Sequence, residues 1–175
     1  HYLAGHEQPL FLFTPDAEFP VCNAEKGCFG GTFKSAKIEN GVIRSWSGAE
    51  ATNAIPSQSE CIIAAPLSGL PAPQANADRI TLEDAGEGCT RIFAQGIGGH
   101  ASLPEGTINA IALVVGYLHE VMDAQPDLFD SAERSYLDLL SVVHDGTAGE
   151  GLGIAAESDA FGALTCNAGT IEVAD

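Results

Sequence analysis

The sequence is short of positive charge: 7 Lys and Arg stand against 24 Asp and Glu in 175 residues, a formal net charge of −17. Such a surface repels phosphate backbones and anionic headgroups, which argues against nucleic acid and membranes as partners. Long apolar runs are missing too. No stretch approaches the ~20 residues that cross a bilayer, and the polar N-terminus carries no signal-peptide pattern. The 5 cysteines, Cys22, Cys28, Cys61, Cys89 and Cys166, are odd in number, widely spaced and never arranged Cys-x-x-Cys. Neither a disulfide framework nor a structural zinc site is indicated, and a reducing cytoplasm is the simplest setting. Cys61 and Cys166, set among apolar or strand-like residues, read as small core residues. The chain starts at His1 instead of Met and stops at Asp175, directly after the strand-like run Thr170-Ile171-Glu172-Val173. That leads to the expectation of a segment from a longer protein.

Local patterns give an element order. Residues 1–9 are a polar lead-in, and the two prolines of Thr14-Pro15-Asp16-Ala17-Glu18-Phe19-Pro20 forbid a central strand there. Residues 30–38 alternate, Asn40-Gly41 is a hairpin turn pair, and residues 42–47 return, which predicts an antiparallel hairpin. Ser57-x-x-Glu60 has the form of a capping box and predicts a short helix through Ala65, ended by Pro66 and the Pro/Ala/Gly-rich stretch that follows. Residues 79–83 and 89–95 read as strands around a Gly86/Gly88 turn. The acidic group Asp78, Glu83, Asp84 and Glu87 there reads as solvated surface. Ile108, Ile111, Ala112, Val115, Leu118 and Met122 carry a helical period over residues 105–122. Asp130-Ser131-Ala132-Glu133 offers a second capping box, for a helix through about Val143. A glycine-rich connection over 146–153 then leads to strand-like residues at 152–156 and 163–173. Strands followed by helices in this order predict an α+β fold, a two-layer sandwich of one antiparallel sheet with helices on one face.

The junction Gly96-Ile97-Gly98-Gly99-His100-Ala101-Ser102-Leu103-Pro104-Glu105-Gly106 places one histidine between a strand and a helix. Pro104 suits a helical first turn, where its missing N–H costs nothing, and Glu105 complements the positive end of the helix dipole. On this stretch alone, His100 reads as a surface or N-terminal capping histidine. Asp16, close to two prolines, reads from spacing alone as a turn or capping aspartate. Asn53 is, on its own, a loop asparagine.

Four motifs in order resemble the bacterial di-zinc dipeptidases of the aminoacylase/carnosinase superfamily, in the Xaa-His or β-Ala-Xaa dipeptidase branch. They are Phe13-Thr14-Pro15-Asp16-Ala17-Glu18-Phe19-Pro20-Val21 with Glu25-Lys26-Gly27; Gly48-Ala49-Glu50-Ala51-Thr52-Asn53-Ala54-Ile55-Pro56; Gly99-His100-Ala101-Ser102-Leu103-Pro104-Glu105-Gly106-Thr107-Ile108-Asn109-Ala110; and Gly151-Leu152-Gly153-Ile154 leading to Gly162-Ala163-Leu164-Thr165-Cys166-Asn167-Ala168-Gly169. The resemblance covers nearly the whole chain. It implies a tail of the catalytic domain over residues 1–28, a first lid unit over 29–125, and a linker helix with an incomplete second lid unit over 126–175. It implies Asp16 as a zinc ligand, Asn53 as a donor to the substrate carboxylate, and His100 as a lid histidine that reaches the scissile carbonyl and steadies the developing oxyanion. The implied reaction is hydrolysis of a dipeptide amide by metal-activated water, with two zinc ions in the parent protein.

Most of that machinery is not encoded here: there is no His-x-Asp motif and no Glu-Glu pair. Zinc is therefore not expected to bind this stretch alone, and the isolated chain is expected to be inactive. The remaining partner would be the rest of the catalytic domain, and the resemblance allows a homodimer. A reading of a different class, a non-catalytic binding or dimerisation module, fits the same residues. In the related loops a lysine and small residues often precede the histidine, whereas Ile97-Gly98-Gly99 do so here.

Overall fold

Ser59, Cys61 and Ile63 are buried while Gln58, Glu60 and Ile62 are not, a period of two that only an extended chain produces. In the computed structural model, which describes residues 26–48 and 51–173, this segment is accordingly a strand. The elements are β1 (Ile43–Ser47), β2 (Ala54–Ile55), β3 (Gln58–Ile63), a 3₁₀ turn at Leu67–Gly69, β4 (Ile80–Gly86), β5 (Cys89–Gln95) and β6 (Gly99–His100). Then come the helices α1 (Ala110–Ala124) and α2 (Ser131–Val143), and the short pair β7 (Glu157–Ser158) and β8 (Gly162–Ala163). The chain divides into two units, His1–Thr32 and Phe33–Asp175. In the first, residues 26–32 carry no regular secondary structure, and all the strands and helices named above lie in the second.

The main sheet is antiparallel with order β1-β3-β5-β4. Its inner face, with Cys61, Ile63, Ile92 and Ala94 fully buried, packs against α1, and α2 packs against α1. The result is the two-layer α+β sandwich that the element order predicts. Being covered by the sheet and by its neighbour α2, α1 buries residues almost all the way round, including Ile111, Val114, Tyr117, Leu118 and Val121, as a helix packed on two sides must. The outer face of the sheet is polar. Arg91 on β5 binds Glu60 on β3 and Glu83 on β4, each at 2.6 Å, and lies over the Phe93 ring at 5.1 Å.

Four local expectations are corrected. The helix predicted from Ser57-x-x-Glu60 is β3: its inward row joins the core, and Ser59 receives the Trp46 indole N–H at 3.1 Å while donating to the Ser47 carbonyl at 2.7 Å. These cross-strand bonds outweigh a capping-box pattern that has no helical period behind it. The hairpin expected from residues 30–38 is absent, and β1 pairs with β3 instead. The Glu133 carboxylate of α2 accepts the Ile43 N–H at 3.0 Å and Tyr136 Oη donates to the Phe33 carbonyl at 3.3 Å, so the chain ahead of β1 lies along α2. The first helix begins at Ala110, not near Glu105. Gly106 sits at φ 75°, which a helix cannot continue through, and Asn109 caps the N-terminus with its side chain. Finally, 152–156 and 163–173 form no long strands. Leu164 N–H goes to the Ala156 carbonyl and Cys166 N–H to the Thr147 carbonyl, at 2.7 and 2.8 Å; Ala163 pairs with Glu157 in the short β7–β8 ladder, and Glu172 makes an isolated bridge to Ser47.

The second capping box is present as predicted at Asp130 and Glu133, opening α2. Among the described residues, no helix is long and apolar enough to cross a membrane.

Candidate functional site

Close backbone approaches hold the histidine junction in place. The Ile97 N–H and the Ile108 N–H each bond the other residue's carbonyl at 2.9 Å, closing the loop between β5 and α1 into a ring. A Cβ on Gly96 would run into the Ile108 carbonyl oxygen, and one on Gly99 would press on the Thr107 methyl. The glycines ahead of His100 are thus sites of tight packing, and the loop is fixed despite its glycine content.

β6 pairs antiparallel with β2, with His100 opposite Ala54 and Gly99 opposite Ile55. The Ala101 N–H, next to His100, bonds the Asn53 carbonyl at 2.9 Å. Sequence positions 53 and 100 are thereby brought to one exposed edge, both side chains being exposed. Asp16 lies outside the described residues.

The His100 ring is anchored from one side. Its Nδ1 accepts the Ser102 backbone N–H at 3.2 Å and meets Ser102 Oγ at 2.7 Å, which leaves Nε2 as the nitrogen available to a ligand. Ser102 stands in the motif quoted above, yet nothing in its spacing singled it out.

A second set of residues, also unassigned from sequence, ties this edge to the helix layer. Asn109 Oδ1 accepts the Ile111 and Ala112 N–H groups at 2.9 and 3.4 Å. Its Nδ2 donates to Asn167 Oδ1 at 2.9 Å and to the Ala168 carbonyl at 3.0 Å. Asn167 Nδ2 in turn donates to the Ala54 carbonyl at 3.1 Å. One amide therefore caps α1 and docks the 164–169 segment, and a second holds the strand opposite His100. The available signal was an Asn directly before an apolar helical period; for Asn167 there was none.

Between the Pro104–Thr107 turn, the start of α1 and the end of α2 lies a cavity of about 170 Å³ that reaches His144, Cys166 and Asn167. His144 Nε2 is buried with no hydrogen-bond partner among the described residues, and burial lowers the imidazole pKa to about 4, so it is held neutral. Elsewhere burial, with the Glu133 carboxylate, pushes the Cys61 thiol up. Burial and the Glu120 carboxylate push Tyr117 up to about 12. Cys61 is therefore an inert core thiol. A larger surface groove, about 430 Å³ between Pro66–Ser68 and the Asp84–Gly88 turn, is built from other elements and contains no residue of the candidate site.

The sequence now has relatives to set beside this geometry. It is similar to two dipeptidases. It is 28% identical over 181 residues to a protein named "Putative dipeptidase YtjP" of Bacillus subtilis (strain 168), covering 98% of this chain and 38% of that protein. It is 26% identical over 175 residues to the Beta-Ala-Xaa dipeptidase of Lactobacillus delbrueckii subsp. lactis, covering 94% of this chain and 36% of that one. The chain thus spans well under half the length of the curated relatives it matches. No protein-family model matches it. At this level the similarities support a relationship to dipeptidases, and hence to peptide hydrolysis as the family-level chemistry.

Proposed function

We propose that this chain is the lid portion, with an adjoining tail of the catalytic domain, of a zinc-dependent dipeptidase. In this reading residues 1–28 belong to the catalytic domain, 29–125 to a first lid unit and 126–175 to a linker helix and part of a second unit. The observation that carries the reading is the β2–β6 pairing, which sets the Asn53 loop beside a rigidly held His100 within a sequence similar throughout to two dipeptidases. A dipeptide presents two features to such an edge: a carboxylate, and an amide carbonyl that becomes anionic as water adds.

The Asn53 amide is suited to donate to the carboxylate. His100 is suited to donate through Nε2–H to the carbonyl oxygen, where a fixed donor gains strength as negative charge develops. Zinc bound to the whole enzyme, with Asp16 as one ligand, would supply Lewis-acid chemistry toward the water and the carbonyl. Among the described residues no group of three or more His, Cys, Asp or Glu side chains could hold a metal ion. Asp16 would be one ligand and the others would lie outside this chain, so the isolated chain would be inactive. The reading takes a dipeptide as partner, with neither nucleic acid nor membrane, permits a homodimer, and sets the protein in the cytoplasm. The unpaired state of Cys28, Cys61, Cys89 and Cys166 accords with that compartment.

The test is His100→Ala in the longer protein, with zinc content measured on the same samples. Loss of one oxyanion donor costs on the order of 10² to 10³ in kcat, and because His100 is not among the proposed ligands the zinc content should not change. A variant with wild-type kcat would return His100 to a structural role and leave a binding module as the better account.

A further inference from the structure

The hydrogen bonds around His100 leave it one neutral tautomer. A backbone amide can only donate, so the Ser102 N–H at 3.2 Å meets a lone pair on Nδ1. The neutral ring then carries its proton on Nε2. With Nδ1 unprotonated, the Ser102 hydroxyl at 2.7 Å donates to the same nitrogen. Both donors come from one residue, and the turn that presents them is closed by the Leu103 N–H on the His100 carbonyl and the Ala101 N–H on the Asn53 carbonyl, each at 2.9 Å. The Nε2–H has no partner among the described residues, and the side chain is exposed.

We infer that Ser102 is a positioning residue: it fixes His100 in the Nε2–H tautomer and orients the ring so that this N–H stands ready for an oxygen that gains negative charge. A free imidazole exchanges between two tautomers, and only one offers a donor at Nε2. Removing that exchange places the donor before the ligand arrives, which is the form of preorganisation that acts on a transition state without further rearrangement. The catalytic consequence rests on the dipeptidase reading. The tautomer assignment does not.

Two measurements separate them. Long-range proton–nitrogen NMR on the labelled chain at a pH where His100 is neutral should show Nδ1 as the unprotonated, acceptor-type nitrogen and Nε2 as the protonated one. Ser102→Ala, which keeps the backbone N–H but loses the hydroxyl, should move the His100 signals toward those of a mixed population, and Ser102→Thr should restore them. A wild-type ring with its proton on Nδ1, or with both tautomers averaged, overturns the inference even if no variant folds. So do identical His100 signals in wild type and Ser102→Ala.

In the longer protein Ser102→Ala should lower kcat about three- to tenfold, the value of one ordinary hydrogen bond, with KM unchanged and with recovery in Ser102→Thr. In a His100→Ala background the same substitution should have no further effect. Equal losses from Ser102→Ala in both backgrounds would show that it acts through general loop structure and would overturn the positioning role. A fixed tautomer in a protein that hydrolyses no dipeptide leaves the Ser102 assignment standing and removes the dipeptidase reading.

Discussion

His144 gives the chain a stability that acid should erode. Burial lowers its pKa from 6.5 to about 4, and its Nε2 finds no hydrogen-bond partner among the described residues. Of the residues that share its cavity, Cys166 alone is titratable, and no charged neighbour contributes to the shift. The folded state therefore resists protonation while the unfolded state accepts it. Above pH 6.5 both states hold a neutral ring and its contribution is fully present. As pH falls from 6.5 to about 4 the unfolded chain takes up a proton that the folded chain refuses, and stability drops until the folded ring also titrates. At about 1.36 kcal/mol per pH unit the gap is worth about 3 kcal/mol, a large share of the ~5 to 15 kcal/mol that holds a domain together.

Urea unfolding at a series of pH values, on wild type and His144→Gln, isolates this contribution from the acid response of the rest of the chain. The two stability curves should converge or cross on acidification, wild type losing about 3 kcal/mol more than the variant between neutral pH and about pH 4. Parallel curves would mean that the ring is hydrated and charges freely, and would refute the argument from burial.

Other substitutions test the framework that positions the site. Asn109→Ala removes the cap on Ile111 and Ala112 as well as the ties to Asn167 and Ala168, so it should cost about 1 to 2 kcal/mol for the cap alone, measured by urea unfolding. Gly96→Ala forces a Cβ onto the Ile108 carbonyl and should break the Ile97–Ile108 bridge, costing about 1 to 3 kcal/mol as an overpacked contact; an unchanged melting temperature would show that the loop can shift aside. If the dipeptidase reading holds, Asn53→Ala in the longer protein it implies should raise KM with little change in kcat, as expected for a contact made equally in ground and transition states, and steady-state kinetics would expose a dominant kcat effect as a misassignment.

Sequence periodicity located what depends on near neighbours and failed where distant partners decide. The hairpin of residues 79–95 and the capped helix from Asp130 were legible because a turn or cap and the apolar rows beside it agree. The Ser57-x-x-Glu60 pattern misled because Ser59, Cys61 and Ile63 belong to a strand that pairs with β1 before it and with β5 about 30 residues after it. Residues 30–38 misled for the opposite reason: they alternate well enough for a strand, but Glu133, 90 residues away, takes the β1 amide. Neither partner can be seen in a window of ten residues.

The candidate site divides in the same way. His100 stood out because glycines and a helix start frame it, and Asn53 entered only through a resemblance, since nothing local distinguishes it. What gives the two a common setting is one antiparallel pairing between residues about half a domain apart in sequence, Ala54 against His100. That pairing is in turn held from behind by Asn167, more than 100 residues beyond Ala54. A chain that lost the Asn109–Asn167–Ala54 amide series would keep the His100 loop, which closes on itself through Ile97 and Ile108, but would lose a restraint on the strand carrying Asn53. On the proposed dipeptidase reading, damage to this series should therefore fall on substrate binding before it falls on the proposed oxyanion donor, and Asn167→Ala should resemble Asn53→Ala in its kinetics more than His100→Ala.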